Sequence, residues 1–381
     1  MDGNLPPVAS AASTGAYAHG VNPPLDLTAE AADLTAALVA VPSVHPAEGP
    51  LADAVADALQ SLGHLRIDRH GNTVIARTDL GAPLRIILAG HLDTVPGAPD
   101  QRTERTEAAV YGLGAADMKA GVAIALRLAA ALTEPACDLT FIFYDGEEVA
   151  EHHNGLGALS RSHPEWLTGD LAILMEPSAA GVEAGCQGTA VIEVRLGGVR
   201  AHVARWWRGD NAIHRSADVL DAVRGYVPRQ PVIDGLSYRE ALQVVGISGG
   251  VATNVVPDEA VVTVNHRFAP DRTLAEAVAH ITGVLEAAVP GAAVRLIDGR
   301  EGALPGLSAP LVGDFLDAVR VSPRPKLGWT DVARFAQLGI PALNYGPGDP
   351  QVAHTAAEHV AVRDLHEVES GLRRFLTKGA R

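Results

Sequence analysis

The sequence predicts an α/β fold with a mixed, largely parallel sheet, interrupted by an inserted α+β domain. Short apolar segments alternate with stretches of helical length in the first half of the chain, a pattern typical of parallel sheets. After Gly188 the segments alternate apolar and polar residues, which indicates a sheet with one exposed face. The α/β pattern resumes beyond Leu304, so the second sheet is predicted to interrupt the first domain.

The elements before the interruption are predicted as two helices, four strands and an apolar helix. Apolar residues recur at helical spacing over residues 25–62, with a break at Pro42-Ser43. Between the second and third strands lies "DMKAGVAIALRLAAALTE", which is helical in length and composition and apolar on most faces, and which therefore predicts a helix. The four strands are predicted from short apolar runs at 73–76, 84–89, 139–144 and 171–175.

The inserted domain is predicted to span residues 187–301 in a ferredoxin-like β-α-β-β-α-β order. Its strands come from "TAVIEVRLGG", "LQVVGISGG", "EAVVTVNHRFAP" and "AVRLIDG", and its helices from 211–227 and 274–288. Residues 25–186 and 302–381 would then form the larger domain, which ends in a helix from about Val362. Residues 1–24 are rich in small residues and proline, which predicts a disordered tail.

Composition and charge argue against several classes of function. A net charge of −15 disfavours binding to nucleic acid or to anionic lipid, because both need clustered positive charge. Two cysteines cannot build a disulfide framework or a cysteine-rich zinc site, so His, Asp and Glu would have to hold any metal. The N-terminus lacks the pattern of a secretory signal, and the apolar stretches are too short to span a bilayer. We therefore expect a cytoplasmic protein that binds neither nucleic acid nor membrane.

Histidine and acidic side chains follow several predicted strands at the point where each strand ends. The carboxyl ends of parallel strands meet at one edge of a sheet, so these side chains should lie close together. Gathering carboxylates in a partly dry crevice costs free energy unless a cation balances them. Imidazole and carboxylate ligands suit Zn²⁺, and one shared carboxylate would allow a pair of ions that act together in hydrolysis. The residues are His91, Asp93, Asp117, Glu147, Glu148, Glu176 and His354.

Five motifs in this order resemble the co-catalytic zinc peptidase family of aminoacylases, glutamate carboxypeptidases, acetylornithine deacetylases and succinyl-diaminopimelate desuccinylases. The resemblance runs from about residue 27 to the C-terminus and includes the inserted domain. It implies a zinc-peptidase-like catalytic domain whose insert serves as a lid and dimerisation domain. The motifs are His-x-Asp at 91–93, Gly-x-x-Asp-Met-Lys-x-Gly at 114–121, Glu-Glu at 147–148, Glu-Pro at 176–177 and a late histidine at 354.

The resemblance implies two divalent metal ions and assigns their ligands. His91 and Glu176 would hold one ion, Glu148 and His354 the other, and Asp117 would bridge them. Zn²⁺ is the metal expected, although the same ligands also suit Co²⁺ and Mn²⁺.

The resemblance also assigns catalytic roles to three residues. Asp93 would orient the imidazole of His91, and Glu147 would act as general base towards the attacking water. His202, reaching the active site of a partner subunit, would stabilise the tetrahedral oxyanion, which implies a homodimer.

Two stretches, "RAHVARWWRGDNAIH" and "GWTDVARFAQLGIPALNYGPGDPQVAH", narrow the resemblance to the actinobacterial desuccinylases. That group implies hydrolysis of N-succinyl-LL-2,6-diaminopimelate, a small substrate rich in carboxylates. Asn254, Arg267, Thr330 and Arg334 match positions that contact substrate carboxylates, a role that suits the planar guanidinium of arginine. Acetylornithine, a peptide (for a carboxypeptidase) or another N-acylated amino acid remains an alternative substrate.

Each of these residues also has an ordinary structural interpretation. His91 could be a satisfied histidine at a strand tip, and Asp117 could cap the helix that follows it. Glu147 and Glu148 could be solvated surface acids. Arg267 and Arg334 could form structural ion pairs. The non-enzymatic alternatives are a relative that binds metal or ligand without turning over a substrate, and a structural dimerisation module.

Overall fold

In a computed structural model of the chain, the structure describes residues 24–378. The predicted disordered tail therefore lies outside the described residues, except for Pro24. The helices are α1 (Ala31–Val39), α2 (Gly49–Gln60), α3 (Ala120–Ala131), α4 (Gly155–Ser162), α5 (Ala212–Gly225), α6 (Leu274–Ala288), α7 (Pro310–Val319), α8 (Val332–Gln337) and α9 (Val362–Lys378). Shorter helical turns lie at Ala115–Lys119, Glu151–His153, Pro164–Leu167 and Val203–Arg208.

The strands of the described region belong to one large sheet, one four-stranded sheet and three small ones. The first half of the chain contributes β1 (Arg66–His70), β2 (Thr73–Arg77), β3 (Arg85–His91), β4 (Glu104–Arg105), β5 (Ala109–Tyr111), β6 (Asp138–Tyr144), β7 (Leu171–Leu174) and β8 (Val182–Ala184). The middle contributes β9 (Gly188–Gly197), β10 (Ala201–His202), β11 (Val232–Ile233), β12 (Leu236–Ser237), β13 (Ala241–Gly249), β14 (Val255–Val256), β15 (Glu259–Phe268) and β16 (Ala293–Arg300). The last are β17 (Pro323–Pro325), β18 (Ala342–Asn344) and β19 (His359–Ala361).

The large sheet has the order β1-β2-β6-β3-β7-β18-β8-β17. Its centre is parallel, because β6, β3, β7 and β18 pair in one direction. The strands β1 and β2 pair antiparallel at one edge. The strand β1 is not predicted from the sequence, because "RIDRH" is a polar segment whose side chains stay partly exposed at the edge. The α/β fold class with a largely parallel sheet is confirmed.

Two helical layers cover the large sheet, because its central strands are apolar on both faces. Ile86 and Leu88 point into the core formed with α1, α2, α3, α7 and α9. Ile87 and Ala89 point to the opposite core, which includes residues of α4 and α8. The helix α3 is buried along almost its whole length, because its residues are apolar except for Arg127.

The four-stranded antiparallel sheet has the order β13-β15-β9-β16. Its chain order, β9-α5-β13-β15-α6-β16, is the predicted β-α-β-β-α-β. One face packs on α5 and α6 through a separate apolar core that includes Val194, Val264 and Ile281. The domain boundaries at 187 and 301 stay a prediction. Within residues 24–378, the helices are too short or too polar to cross a bilayer.

Candidate active site and metal centre

Four of the five predicted metal ligands, together with Glu147, follow four adjacent parallel strands of the large sheet, whereas Asp117 lies in the helical turn after β5. His91 is the last residue of β3, while Glu147 and Glu148 follow β6 and Glu176 follows β7. His354 lies in the loop between β18 and β19. Because these strands are neighbours and run in one direction, their carboxyl ends bring the side chains to one edge of the sheet.

Asp117 belongs to two groups of potential ligands. One oxygen or nitrogen atom from each of His91, Asp117 and Glu176 lies within 4.8 Å of the others. The same holds for Asp117, Glu148 and His354. Asp117 Oδ1 lies 3.2 Å from His91 Nε2, and Asp117 Oδ2 lies 3.5 Å from His354 Nε2. One carboxylate therefore presents its two oxygens to two different histidines.

His354 belongs to the second group of potential ligands, and its backbone conformation is strained. Its Nε2 lies 2.7 Å from Glu148 Oε1. Its φ of 62° is in the left-handed region, which a residue with a Cβ adopts at some cost in free energy. Non-glycine residues in this conformation are often found at functional sites.

Asp93 holds the two glutamates through its carboxylate and contacts His91 mainly through its main-chain oxygen. Its Oδ1 and Oδ2 accept hydrogen bonds from the backbone N–H groups of Glu147 and Glu148, at 3.1 and 2.9 Å. His91 Nδ1 lies 3.0 Å from the main-chain oxygen of Asp93 and 3.6 Å from its Oδ1. Gly146 has a φ of 69°, and a Cβ there would lie 2.3 Å from the His153 oxygen. Only glycine therefore suits this turn into the glutamate pair.

The segment that presents Asp117 is held by two buried charged side chains. Glu358 Oε1 accepts hydrogen bonds from the N–H groups of Ala116 and Asp117, at 3.0 and 3.1 Å. Lys119 Nζ donates to the carbonyl oxygens of Leu38 and Val41 at the end of α1. Burial lowers the pKa of Lys119 to about 7. The Asp-Met-Lys motif thus combines a potential ligand with its own anchor.

Burial and the crowding of charge raise the pKa values of two glutamates and one histidine in this cluster. Burial, with Asp117 nearby, raises the pKa of Glu176 to about 8. Burial also raises the pKa of Glu147 well above its usual range, and the charges of Glu176 and Glu148 add to this effect. Hydrogen bonds to Asp117 and Glu148 raise the pKa of His354 to about 10. The protein alone therefore concentrates more negative charge here than its histidines can balance.

This donor set fits two divalent cations. Four carboxylates (Asp117, Glu147, Glu148 and Glu176) contribute as much negative charge as two such ions contribute positive charge. Within the described residues, Glu176 Oε1 is buried and has no hydrogen-bond partner. A buried carboxylate oxygen without a partner is costly unless a cation satisfies it. Imidazole nitrogen and carboxylate oxygen are ligands that Zn²⁺ accepts.

The acidic cluster lines one side of a cavity of about 460 Å³, and cations line another part. Arg267 and Thr330, both predicted to bind substrate, contribute to its lining. Several other lining residues are not predicted from the sequence, because no motif or strand end marks them. These are Thr189, Asn265, Asp298, Arg300 and Lys326. For Asn265 there is a signal: it lies two positions before Arg267 in a strand, so both point to the same face.

Besides His91 and Asp93, three predicted residues do not line this cavity. Arg334 is buried and bonded to Asp331 and Glu151, each at 2.9 Å, so its charge is already paired. His202 is exposed on β10, where its Nδ1 accepts a hydrogen bond from the Ala204 N–H. Asn254 lies beside it, since its carbonyl oxygen accepts from the Val203 N–H. The roles of all three in substrate binding or catalysis stay predictions.

Comparison of the sequence with known proteins identifies relatives of nearly full length. A Mycobacterium tuberculosis protein, provisionally named a succinyl-diaminopimelate desuccinylase, is 49% identical over 353 residues, which cover 92% of this chain and 99% of that protein. The succinyl-diaminopimelate desuccinylase of Corynebacterium glutamicum is 45% identical over 365 residues, with coverages of 94% and 99%.

Solved structures share the fold, at lower identity. A metallo-carboxypeptidase of the M20 family from Sulfolobus solfataricus superposes with a TM-score of 0.76 at 15% identity, covering 91% of this chain and 98% of that one. The dinuclear metal-binding peptidase YXEP of Bacillus subtilis superposes with a TM-score of 0.66 at 15% identity, with coverages of 90% and 96%. The model of peptidase family M20/M25/M40 matches residues 87–378. This chain belongs to that family.

Proposed function

We propose that this protein hydrolyses N-succinyl-LL-2,6-diaminopimelate to succinate and LL-2,6-diaminopimelate. The supporting observation is a single cavity that joins the acidic cluster to Arg267, Arg300 and Lys326. The acidic cluster suits the hydrolysis of an amide, and the cations suit a substrate with several carboxylates. Near-full-length relatives at 45–49% identity bear the name of this activity.

We propose that His91, Glu176, Glu148 and His354 hold two ions, with Asp117 between them, and that Zn²⁺ is the native metal. When bound, such ions polarise an amide carbonyl and make water a better nucleophile at neutral pH. Co²⁺ remains the alternative, since the ligands do not distinguish strongly between the two metals.

Glu147 is proposed as the general base. Its carboxylate lines the cavity and lies near the ligands, while Asp93 holds its backbone N–H. A pKa raised by burial brings a carboxyl group closer to the operating pH, where a general base works well. Glu147 takes a proton from the attacking water and returns it to the amine nitrogen as the C–N bond breaks.

We propose that the enzyme acts in the cytoplasm as a homodimer in which His202 and Asn254 enter the partner's cavity. Both lie away from the cavity of their own chain, on an exposed part of the insert. Apolar side chains next to them face solvent in the single chain: Trp206 is 69% exposed and Trp207 is 66% exposed. An exposed apolar patch of this kind is typical of a protein–protein interface.

Mixing two inactive variants tests the sharing of sites between subunits. We expect His202→Ala and Glu147→Gln homodimers to be inactive, and a mixture to regain up to about a quarter of wild-type activity. The gain arises because a heterodimer has one site with both residues intact. Native mass spectrometry would verify subunit exchange. No recovery despite exchange would show that His202 does not act across the dimer.

A direct assay tests the proposed substrate. We expect hydrolysis of N-succinyl-LL-2,6-diaminopimelate, with added Zn²⁺ or Co²⁺, at a kcat/KM at least about a hundredfold above that for N-acetylornithine. Acetylornithine has only its α-carboxylate and lacks the succinyl and distal carboxylates that the cavity cations would bind. Ninhydrin detection of the released amine measures both reactions. Faster hydrolysis of acetylornithine would contradict the proposal in favour of a deacetylase.

A further inference from the structure

One end of the four-stranded sheet presents two rows of side chains to the cavity. In the first row, Arg267 of β15 and Arg300 of β16 lie on either side of Thr189 of β9. In the next row, Asn265 and Asp298 lie on either side of Val191 in the same way. All six residues line the cavity.

A β-bulge determines that Asp298 and Arg300 face the cavity. On β16, Val294 pairs with Val194 and Leu296 with Ile192, two residues of the core under α5 and α6. The register then shifts, so that Asp298 pairs with Val191 instead of Ala190. Without the shift, Asp298 and Arg300 would point to the face covered by helices. Bulges are frequent next to functional sites because they redirect side chains in this way.

The side chains of Arg267 and Arg300 both have donor groups left to bind an anion. Among residues 24–378, no carboxylate lies within ion-pair distance of the Arg267 side chain, and burial with Arg300 nearby lowers its pKa. Arg300 donates from Nη2 to the Val149 oxygen at 2.7 Å and lies over the Trp329 ring. Its Nε is buried and has no hydrogen-bond partner in the described chain. Its Nε lies 3.5 Å from Glu151 Oε2, an ion pair without a hydrogen bond, and the same carboxylate also pairs with Arg334 at 2.9 Å. A partly buried guanidinium that shares its counter-ion in this way still has donors for a ligand anion.

Asp298 adds a negative charge to the wall of the cavity that carries the two arginines. In the part of the chain that the structure describes, its side chain has neither an ion pair nor a hydrogen bond, and it lines the cavity two residues before Arg300. Residues two apart on one strand face the same side, within about 7 Å of each other. An unpaired carboxylate and a guanidinium with an unbonded donor at that spacing match an ammonium and a carboxylate on one carbon atom.

We propose that Asp298 and Arg300 form a subsite for a free amino-acid head group. Asp298 accepts hydrogen bonds from the ammonium, Arg300 donates to the carboxylate, and Arg267 is left for a second carboxylate. This inference rests on the proposed function, because the non-acylated end of N-succinyl-LL-2,6-diaminopimelate is such a head group. The subsite would select substrates whose leaving amine carries an amino acid at its far end.

Three substrates distinguish the contribution of the head-group ammonium from that of the head-group carboxylate. N-succinyl-LL-2,6-diaminopimelate has both, Nα-succinyl-L-lysine has only the distal ammonium, and N-succinyl-2-aminopimelate has only the distal carboxylate. We expect Asp298→Asn to lower kcat/KM about ten- to a hundredfold for the two substrates with the ammonium, and less than about threefold for the third. We expect Arg300→Met to lower it similarly for the two substrates with the distal carboxylate, while sparing the lysine derivative.

Arg295→Met is the matched control, because Arg295 lies on the same strand but is exposed and paired with Glu193. It should change none of the three values by more than about twofold. Equal losses for all three substrates in Asp298→Asn and Arg300→Met would overturn the subsite, because they would indicate a structural role.

Calorimetric binding of LL-2,6-diaminopimelate to the Zn²⁺-supplemented protein distinguishes failure of the subsite from failure of the proposed function. If hydrolysis is absent, the subsite is still supported when LL-2,6-diaminopimelate binds and two conditions hold. Asp298→Asn and Arg300→Met weaken its binding at least tenfold, and Arg295→Met does not. Hydrolysis without any substrate-selective effect of the variants would overturn the subsite and leave the function standing. Absence of both hydrolysis and binding would overturn both.

Discussion

Replacing Glu147 with glutamine is expected to lower kcat about 10²- to 10⁴-fold while both metal ions remain bound. The change keeps the size of the side chain and removes its ability to take up a proton. Asp93 should still hold the backbone, since it contacts the N–H of residue 147 rather than its side chain. Steady-state kinetics and metal analysis on the same sample would measure the two effects. Glu107→Gln, at an exposed position, is the control and should leave both unchanged.

Two results would contradict this assignment in different ways. Full activity of Glu147→Gln would exclude Glu147 as the general base. Loss of a metal ion would instead make Glu147 a ligand, which the geometry allows because His91, Glu147 and Glu148 also offer atoms within 4.8 Å of one another. The metal content of Glu147→Gln therefore distinguishes a general base from a metal ligand at this position.

Replacing Asp117 with alanine is expected to weaken binding of both metal ions at least about a hundredfold, and to lower activity correspondingly. Asp117 belongs to both potential ligand groups, whereas Glu176 belongs to only one. Glu176→Gln should therefore weaken binding of one equivalent and leave the other. Calorimetric titration of Zn²⁺ into chelator-treated protein would resolve the equivalents.

Asp100→Asn serves as the control for Asp117→Ala, because Asp100 is an exposed aspartate outside the cavity. It should bind two equivalents as the wild type does. If Asp117→Ala lost only one equivalent, or if Glu176→Gln lost both, Asp117 would not be the shared ligand. Circular dichroism would show whether each variant retains its fold.

Most of the fold could be predicted because its signals are local. A short window of sequence contains the apolar runs of the strands around 84–89 and 139–144. It also contains the largely apolar stretch that forms α3. The edge strand β1 was missed because its polar residues lack that periodicity. The β-α-β-β-α-β order of the insert was recognised from alternating apolar residues in its strands and from the helices between them.

The predicted side chains differ in how closely the structure gathers them. His91, Asp117, Glu148, Glu176 and His354 come together because they follow neighbouring parallel strands or adjoin them, an arrangement that the order of motifs indicated. Their assignment as ligands remains a proposal. Arg334 could not be distinguished from a substrate arginine, because its partner Glu151 is 183 residues away in the chain.

By itself, the sequence determined the α/β fold class, the order of elements in the insert and the acids and histidines at the strand ends. These features depend on periodicity and on residue type, both of which are local. Only the tertiary structure decided that Asp117 faces two histidines, that Glu358 holds its backbone and that a bulge turns Asp298 and Arg300 into the cavity. Strand register and contacts between distant residues depend on how separate segments pack, which no short stretch of sequence records.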